Sequence, residues 1–240
     1  MNILGIIPAR GGSKGIPLKN IKKICGTPLI EFTINSAIKS KKVNRIIVST
    51  DNKKIAKISQ SLGAEVPFLR PKNISADSSS TIDVVKHAIK KLQKDDYVPD
   101  IITILQPTSP FRTYEMIDSS IELLKKSKAT SVISVEKIKK HPFSSFWLYD
   151  QNLKHFRKDF SKFHQRQLLP KLFSPTGAIY TLWLSTLMKY DSLYGSRIKP
   201  MIIDNEIINL DIDNDFDIFI AEMYKKYWKN QKSFKMKFKH

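Results

Sequence analysis

Two stretches near opposite ends of the chain carry residues that could do chemistry. Ile3 to Asn20, ILGIIPARGGSKGIPLKN, begins as an apolar run suited to a buried strand and breaks abruptly into glycine and cation. Gly11, Gly12 and Gly15 admit backbone angles closed to other residues and let peptide N–H groups approach a ligand, while Arg10, Lys14 and Lys19 supply positive charge. A strand emptying into such a loop is suited to holding a polyphosphate. It matches neither GxxxxGK[ST] nor the GxGxxG spacing. A surface turn with scattered lysines is the alternative. Near the other end, Asp211 and Asp213 in INLDIDND stand two apart before a helix, and in extended chain such residues point to one side. Two converged carboxylates repel unless a cation joins them, and Mg²⁺ held by one or two carboxylates plus substrate phosphates is the usual arrangement in nucleotide enzymes. Asp215 and Asp217 continue the run, so spacing alone allows a helix-dipole role equally well.

Other candidates lie between. Arg70 with Asp77-Ser78-Ser79-Ser80-Thr81 reads either as a turn with redundant helix caps or as a guanidinium and hydroxyls brought to a nucleotide. Gln106 ends a buried strand in LQPTSPFR, where prolines fix the following turn. Arg166 in QRQLLP could pair bidentately with a carboxylate. Tyr180 in GAIY suits a core aromatic at least as well as a ligand contact. None of the five histidines has metal-ligand spacing, and no Ser-His-Asp arrangement is arguable.

The elements that must position these residues alternate. After the first strand, PLIEFTINSAIKS reads as a helix, RIIVST (Arg45 to Thr50) as a strand, and NKKIAKISQSLG as a helix stopping at Gly63. A short extended EVPFLRP delivers Arg70, and a helix follows the serine cluster. Then come strand Asp100 to Gln106, helix Thr113 to Lys126 and strand Ala129 to Val135. This rhythm predicts an α/β fold, a Rossmann-like, mostly parallel sheet with helices on both faces, whose ligands bind beyond the carboxyl ends of the strands. Arg10, Asp51 and Gln106 each follow such a strand. From Glu136 to Phe173 the rhythm fails in an aromatic, basic stretch that we read as an excursion serving a subunit interface or packing on itself. GAIYTLW, KPMIID and INLDID read as further core strands before an amphipathic terminal helix. We expect residues 1–240 to form a single domain, with 136–173 as an inserted subdomain.

The chain has 240 residues, 41% of them apolar, which supports one substantial domain. The single cysteine, Cys25, excludes an internal disulfide and suits a reducing compartment. The first residues lack the pattern of a signal peptide, and no stretch has the length to span a bilayer, so a cytoplasmic location is expected. A formal charge of +19 attracts polyanions without choosing among them. No zinc-finger spacing, RNP-like strand or recognition-helix signature supports nucleic-acid binding, which is kept as the rival class.

PARGGSKGIPLKN followed by GTPLI, with LQPTSP, GAIY and DID further on, resembles the acylneuraminate cytidylyltransferases, enzymes that make CMP-activated sialic acids, almost to the C-terminus. The resemblance implies CTP and an acidic 2-keto-3-deoxy nonulosonic sugar as substrates, Mg²⁺ as cofactor and a homodimer, without nucleic acid or membrane as partner. It places the nucleotide on Arg10, Gly11, Gly12, Ser13, Lys14, Lys19, Asn20, Arg70, Ser79 and Thr81, and the metal on Asp211 and Asp213. Gln106, Arg166 and Tyr180 fall to the sugar, and Arg10, Lys19, Gln106 and Asp211 to catalysis. Two positions depart from the family pattern. Thr176 stands where PNGAIY has asparagine, and Ser144 follows His141-Pro142 where a basic residue is common. Both face the sugar in the family, so the decoration of the sugar is the open question: a sialic acid, legionaminate or pseudaminate. The related ketodeoxyoctonate enzymes are expected to read closer to PARxxSxRxPxKPL.

Overall fold

A computed structural model describes residues 1–13, 15–157 and 166–228, apart from the side chains of Arg166 and Trp228. Lys14, the aromatic residues Phe160 and Phe163, and the basic tail from residue 229 lie outside the described residues.

A six-stranded sheet forms the centre. Its strands are β1 (Ile3–Pro8), β4 (Arg45–Ser49), β5 (Ile101–Leu105), β6 (Ser131–Lys137), β9 (Phe173–Trp183) and β10 (Ile198–Ile202). They lie in the order β10-β6-β9-β5-β1-β4, and β1, β4 and β5 pair in parallel, as do β6 and β10. β9 alone runs antiparallel, wedged between β5 and β6. Alternation along the strands separates two cores. Ile3 and Ile7 of β1 and Ile101 and Leu105 of β5 face one side, while Leu4, Ile6, Ile102 and Ile104 face the other.

Helices cover both faces, as the sequence predicts. On the first face α1 (Leu29–Lys39) contributes Ile30, Ile34 and Ala37, α2 (Lys53–Ser61) contributes Ile55, and α4 (Tyr114–Lys126) adds Met116, Ile117, Ile121 and Leu124. On the second, α3 (Thr81–Leu92) presents Val85, Ala88, Ile89 and Leu92, joined by Leu187 of α5 (Leu184–Tyr190). Each of the Val, Leu, Ile and Met side chains among these contributes roughly 1.5–3 kcal/mol when buried. Asn52 starts α2 by accepting from the amides of Lys54 and Ile55, and Gly63 ends it with φ +91°. A third, smaller core joins Ile16 and Ile24 of the N-terminal loop region to Ile212, Ile218 and Ala221, the last two on α6 (Asp215–Trp228).

One expectation is corrected. INLDID is not a strand: residues 206–209 form a turn, and 211–213 are irregular, packed down through Ile212, whose amide donates to the Thr108 carbonyl at 2.8 Å. The described part of the excursion carries a two-stranded hairpin, β7 (Phe146–Tyr149) and β8 (Asn152–His155), separate from the main sheet, in which Leu148 and Tyr149 are each 76% exposed. The remaining short strands, β2 (Lys23–Ile24) and β3 (Thr27–Pro28), form a clip before α1.

Candidate functional site

Beyond the carboxyl ends of β1 and β5 lies a crevice of two adjoining chambers, of about 400 and 190 Å³, that share Pro8, Arg10, Asp77 and Gln106. The larger is lined further by Ser13, Gly15, Lys19, Asn20, Pro107, Thr108 and Asp213. The smaller adds Arg70, Ile74, Ala76, Ser79, Thr81 and Val84. Of the sequence-predicted nucleotide residues, Arg10 lines both chambers, Ser13, Lys19 and Asn20 the larger, and Arg70, Ser79 and Thr81 the smaller, while Gly11 and Gly12 line neither.

The glycine loop is fastened before any ligand arrives. Asn20, buried, donates its side-chain amide to the Arg10 carbonyl at 2.9 Å, and the Gly11 amide donates to Asp51 at 2.8 Å. A Cβ at Gly11 would collide with the Asn52 side chain. Gly15 is required by close approach, because a Cβ there would collide with the backbone carbonyl of Asp213. Lys19 reaches across to the same segment, donating to the Ile212 carbonyl at 2.7 Å and to the Asp213 carboxylate at 2.9 Å. Arg10 points over the crevice and pairs with Asp77 at 2.5 Å.

In the smaller chamber the serine cluster divides its duties. Ser80 caps α3 by accepting from the Asp83 amide, whereas Ser79 and Thr81 line the wall, Ser79 with a buried hydroxyl lacking a partner among the described residues. Arg70 is held by its backbone amide on Thr50 at 2.7 Å. Its guanidinium is buried, with Nε and Nη2 without hydrogen bonds and Asp51 as a distant counter-charge at 4.0 Å. Burial pulls its pKa below the ordinary arginine value, against the opposing pull of Asp51. Unmet buried donors facing a chamber are costly in an empty protein and are well suited to an acceptor-bearing ligand.

Asp213 lines the larger chamber, and Asp211 stands two residues away. Asp211 keeps a solvent-exposed face, yet the protein packed around its carboxyl desolvates it and raises its pKa; a Thr108 hydrogen bond opposes this, and Asp213 adds like-charge repulsion. Carboxylates close enough to repel, beside a cationic glycine loop, are a donor set that fits Mg²⁺ shared with a phosphate ligand. Among the described residues no group of three or more His, Cys, Asp or Glu side chains could hold a metal unaided. The Asp211 charge also reaches Tyr180, whose pKa is raised mainly by burial. Tyr180 lines neither chamber; it packs on the second core with its ring against Tyr194. Arg166 begins a single 3-10 turn, Arg166–Leu168, and its side chain lies outside the described residues. Thr176 turns inward: its hydroxyl bonds Ser134 Oγ at 2.8 Å inside the β6–β9 pairing.

Asp51, expected after its strand, and Asp77, expected in the serine cluster, anchor the loop and Arg10. One participant the sequence reading does not single out is Arg112, which grips the turn after β5. Arginine after a proline-rich turn is the available signal.

Residues 4–228 match the family described as cytidylyltransferase. A CMP-N,N'-diacetyllegionaminic acid synthase of Legionella pneumophila is 35% identical over 92% of this chain and 95% of its own. An N-acylneuraminate cytidylyltransferase of Escherichia coli is 32% identical over 93% of this chain and 52% of its own, and a pseudaminic acid cytidylyltransferase of Campylobacter jejuni is 28% identical over 94% and 97%. Among solved structures, a CMP:2-keto-3-deoxy-manno-octonic acid synthetase complexed with CTP superposes with TM-score 0.69 at 16% identity, covering 94% of this chain and 99% of that one, a likeness of fold.

Proposed function

We propose, from the premise that this chain belongs to the cytidylyltransferase family, that it couples CTP to an acidic 2-keto-3-deoxy nonulosonic sugar, an N-acylneuraminate or a relative such as legionaminate or pseudaminate, releasing pyrophosphate. The observation that carries this reading is the meeting of Lys19 with Asp213 in one crevice, which sets the phosphate loop beside the carboxylate pair.

The larger chamber takes the triphosphate, with Arg10 and Lys19 countering its charge, Ser13 offering a hydrogen bond, and Lys14 expected from the sequence to add a further cation. The smaller takes the nucleoside, where the unmet donors of Arg70 and the hydroxyls of Ser79 and Thr81 find acceptors. Gln106, on the wall common to both, positions the sugar against the α-phosphate, with Arg166 for the sugar carboxylate; Tyr180, which lines neither chamber, would reach the sugar only where it extends beyond them. The anomeric hydroxyl attacks the α-phosphorus in line, its O–P bond forming as the bond to pyrophosphate breaks. Asp211 and Asp213 would hold Mg²⁺, which when bound draws charge from the α-phosphate and the leaving group. The protein's part is positioning and charge neutralisation, without a covalent intermediate. The exposed aromatic hairpin Phe146–His155 serves as the homodimer contact, and no helix among the described residues is long and apolar enough to cross a membrane.

Pyrophosphate release from each NTP with Mg²⁺, against a panel of acidic keto sugars, tests this. CTP with a nonulosonic acid is expected to give rapid turnover. Turnover without a sugar acceptor, or preference for another nucleotide, overturns the reading, and preference for ketodeoxyoctonate moves the chain to that branch. Duplex binding that survives physiological salt without turnover favours the nucleic-acid reading.

A further inference from the structure

Arg112 is 3% exposed, and its guanidinium is buried with no carboxylate among the influences on it. Nη1 donates to the carbonyls of Gln106 and Ser109, both at 3.1 Å. Nη2 donates to the Gln106 carbonyl at 3.1 Å and to the Thr33 hydroxyl at 2.9 Å. One fork thus closes both ends of the turn Gln106–Ser109 and ties it to α1. Burial lowers its pKa to about 9, so it stays protonated at neutral pH. As a stabilising device an unpaired buried cation is poor, since an apolar side chain of similar volume usually serves as well or better. What it gives is geometry.

The turn it closes has two outputs. Gln106 forms wall common to both chambers, and the Thr108 carbonyl receives the Ile212 amide at 2.8 Å, seating the backbone between Asp211 and Asp213. We propose that Arg112 is a positioning residue that locks this turn, so that the Gln106 side chain and the Asp211–Asp213 segment are held in register from one buried point. It touches neither chamber and acts only through the turn. This rests on the proposed function for its kinetic readouts, and amide exchange tests it without them.

Arg112→Met, Arg112→Lys and Thr33→Val are compared with the unaltered chain. For Arg112→Met the expected result is a melting temperature within a few degrees and CTP affinity by calorimetry within about threefold. Its kcat is expected to fall about 100-fold, the scale of a misplaced reacting group. Arg112→Lys recovers part of the loss, and Thr33→Val loses about threefold. Exchange of the Ser109 and Ile212 amides speeds at least about tenfold in Arg112→Met. If that variant does not fold, Arg112→Lys and Thr33→Val carry the same comparison. Unchanged exchange at both amides overturns the proposal, as does parallel loss of stability, CTP affinity and kcat, which marks a merely structural residue. If the unaltered protein turns over no CTP with any acidic keto sugar, the proposed function fails while the exchange result still decides for or against the lock.

Discussion

The ammonium of Lys19 lies 2.9 Å from the Asp213 carboxylate and 2.7 Å from the Ile212 carbonyl, joining the glycine loop to the carboxylate pair across 194 positions of sequence. The contact brings the cation proposed for phosphate against the anion proposed for metal, so each partner is already paired before ligands arrive. Asp213 is 69% exposed, and exposed pairs of this kind contribute at most about 1 kcal/mol.

Lys19→Met and Asp213→Asn are therefore expected to leave the melting temperature within a few degrees while lowering turnover about 100-fold or more, the usual cost of removing one charge-stabilising group. Calorimetric melting and pyrophosphate release on the same samples check this. A loss of activity that merely tracks unfolding at the assay temperature would show the pair to be structural.

Arg70→Met separates binding from stability in the opposite sense. The guanidinium leaves Nε and Nη2 unmet in a buried place, and such groups cost about 1–3 kcal/mol each. The variant should be as stable as the parent or more so, with KM for CTP raised at least about tenfold. Lower stability with unchanged KM contradicts the assignment of Arg70 to the nucleotide chamber.

Leu148→Lys with Tyr149→Lys tests the hairpin as a subunit contact. Both side chains are strongly exposed in the single chain, next to Trp147 and Phe146, and charges at the centre of an aromatic interface are poorly tolerated. Sedimentation should show a dimer for the parent and a monomer for the double variant, both folded. Equal masses remove the hairpin from the interface.

At alkaline pH the ring of Tyr224, packed at 4.7 Å from Phe111, gives a readable signature. Burial pushes its pKa up from 10.0 to about 12. A raised acid favours the folded state below the unfolded value and loses that contribution as pH climbs to the folded one. Stability should fall between about pH 10 and 12, and Tyr224→Phe should flatten the fall, leaving a residue from Tyr97 and Tyr180, whose pKa values are also raised. Identical curves for the two chains would remove Tyr224 from the account.

Local pattern made much of this protein legible. The strand and helix periods of β1, β4, β5 and their following helices follow side-chain alternation, and the placing of Arg10, Asp51 and Gln106 beyond strand ends follows from a parallel sheet. The carboxylate segment was misjudged because INLDID alternates like a strand, while Ile212 is drawn instead into the small core beneath the glycine loop. Arg112 was passed over because nothing in its neighbourhood of sequence announces that three acceptors, one on a distant helix, will close around it. Likeness to the family puts position 176 on the sugar side; the hydrogen bond of Thr176 to Ser134 is a fact of strand pairing that sequence does not show.

The antiparallel strand β9, set between β5 and β6, has a consequence for how the chain is made. Until residues 173–183 leave the ribosome, β5 and β6 each offer a bare row of amides and carbonyls on the side that β9 will fill. A nascent or prematurely ended chain is thus adhesive along the middle of its future sheet, and its solubility during synthesis turns on the arrival of that one late strand.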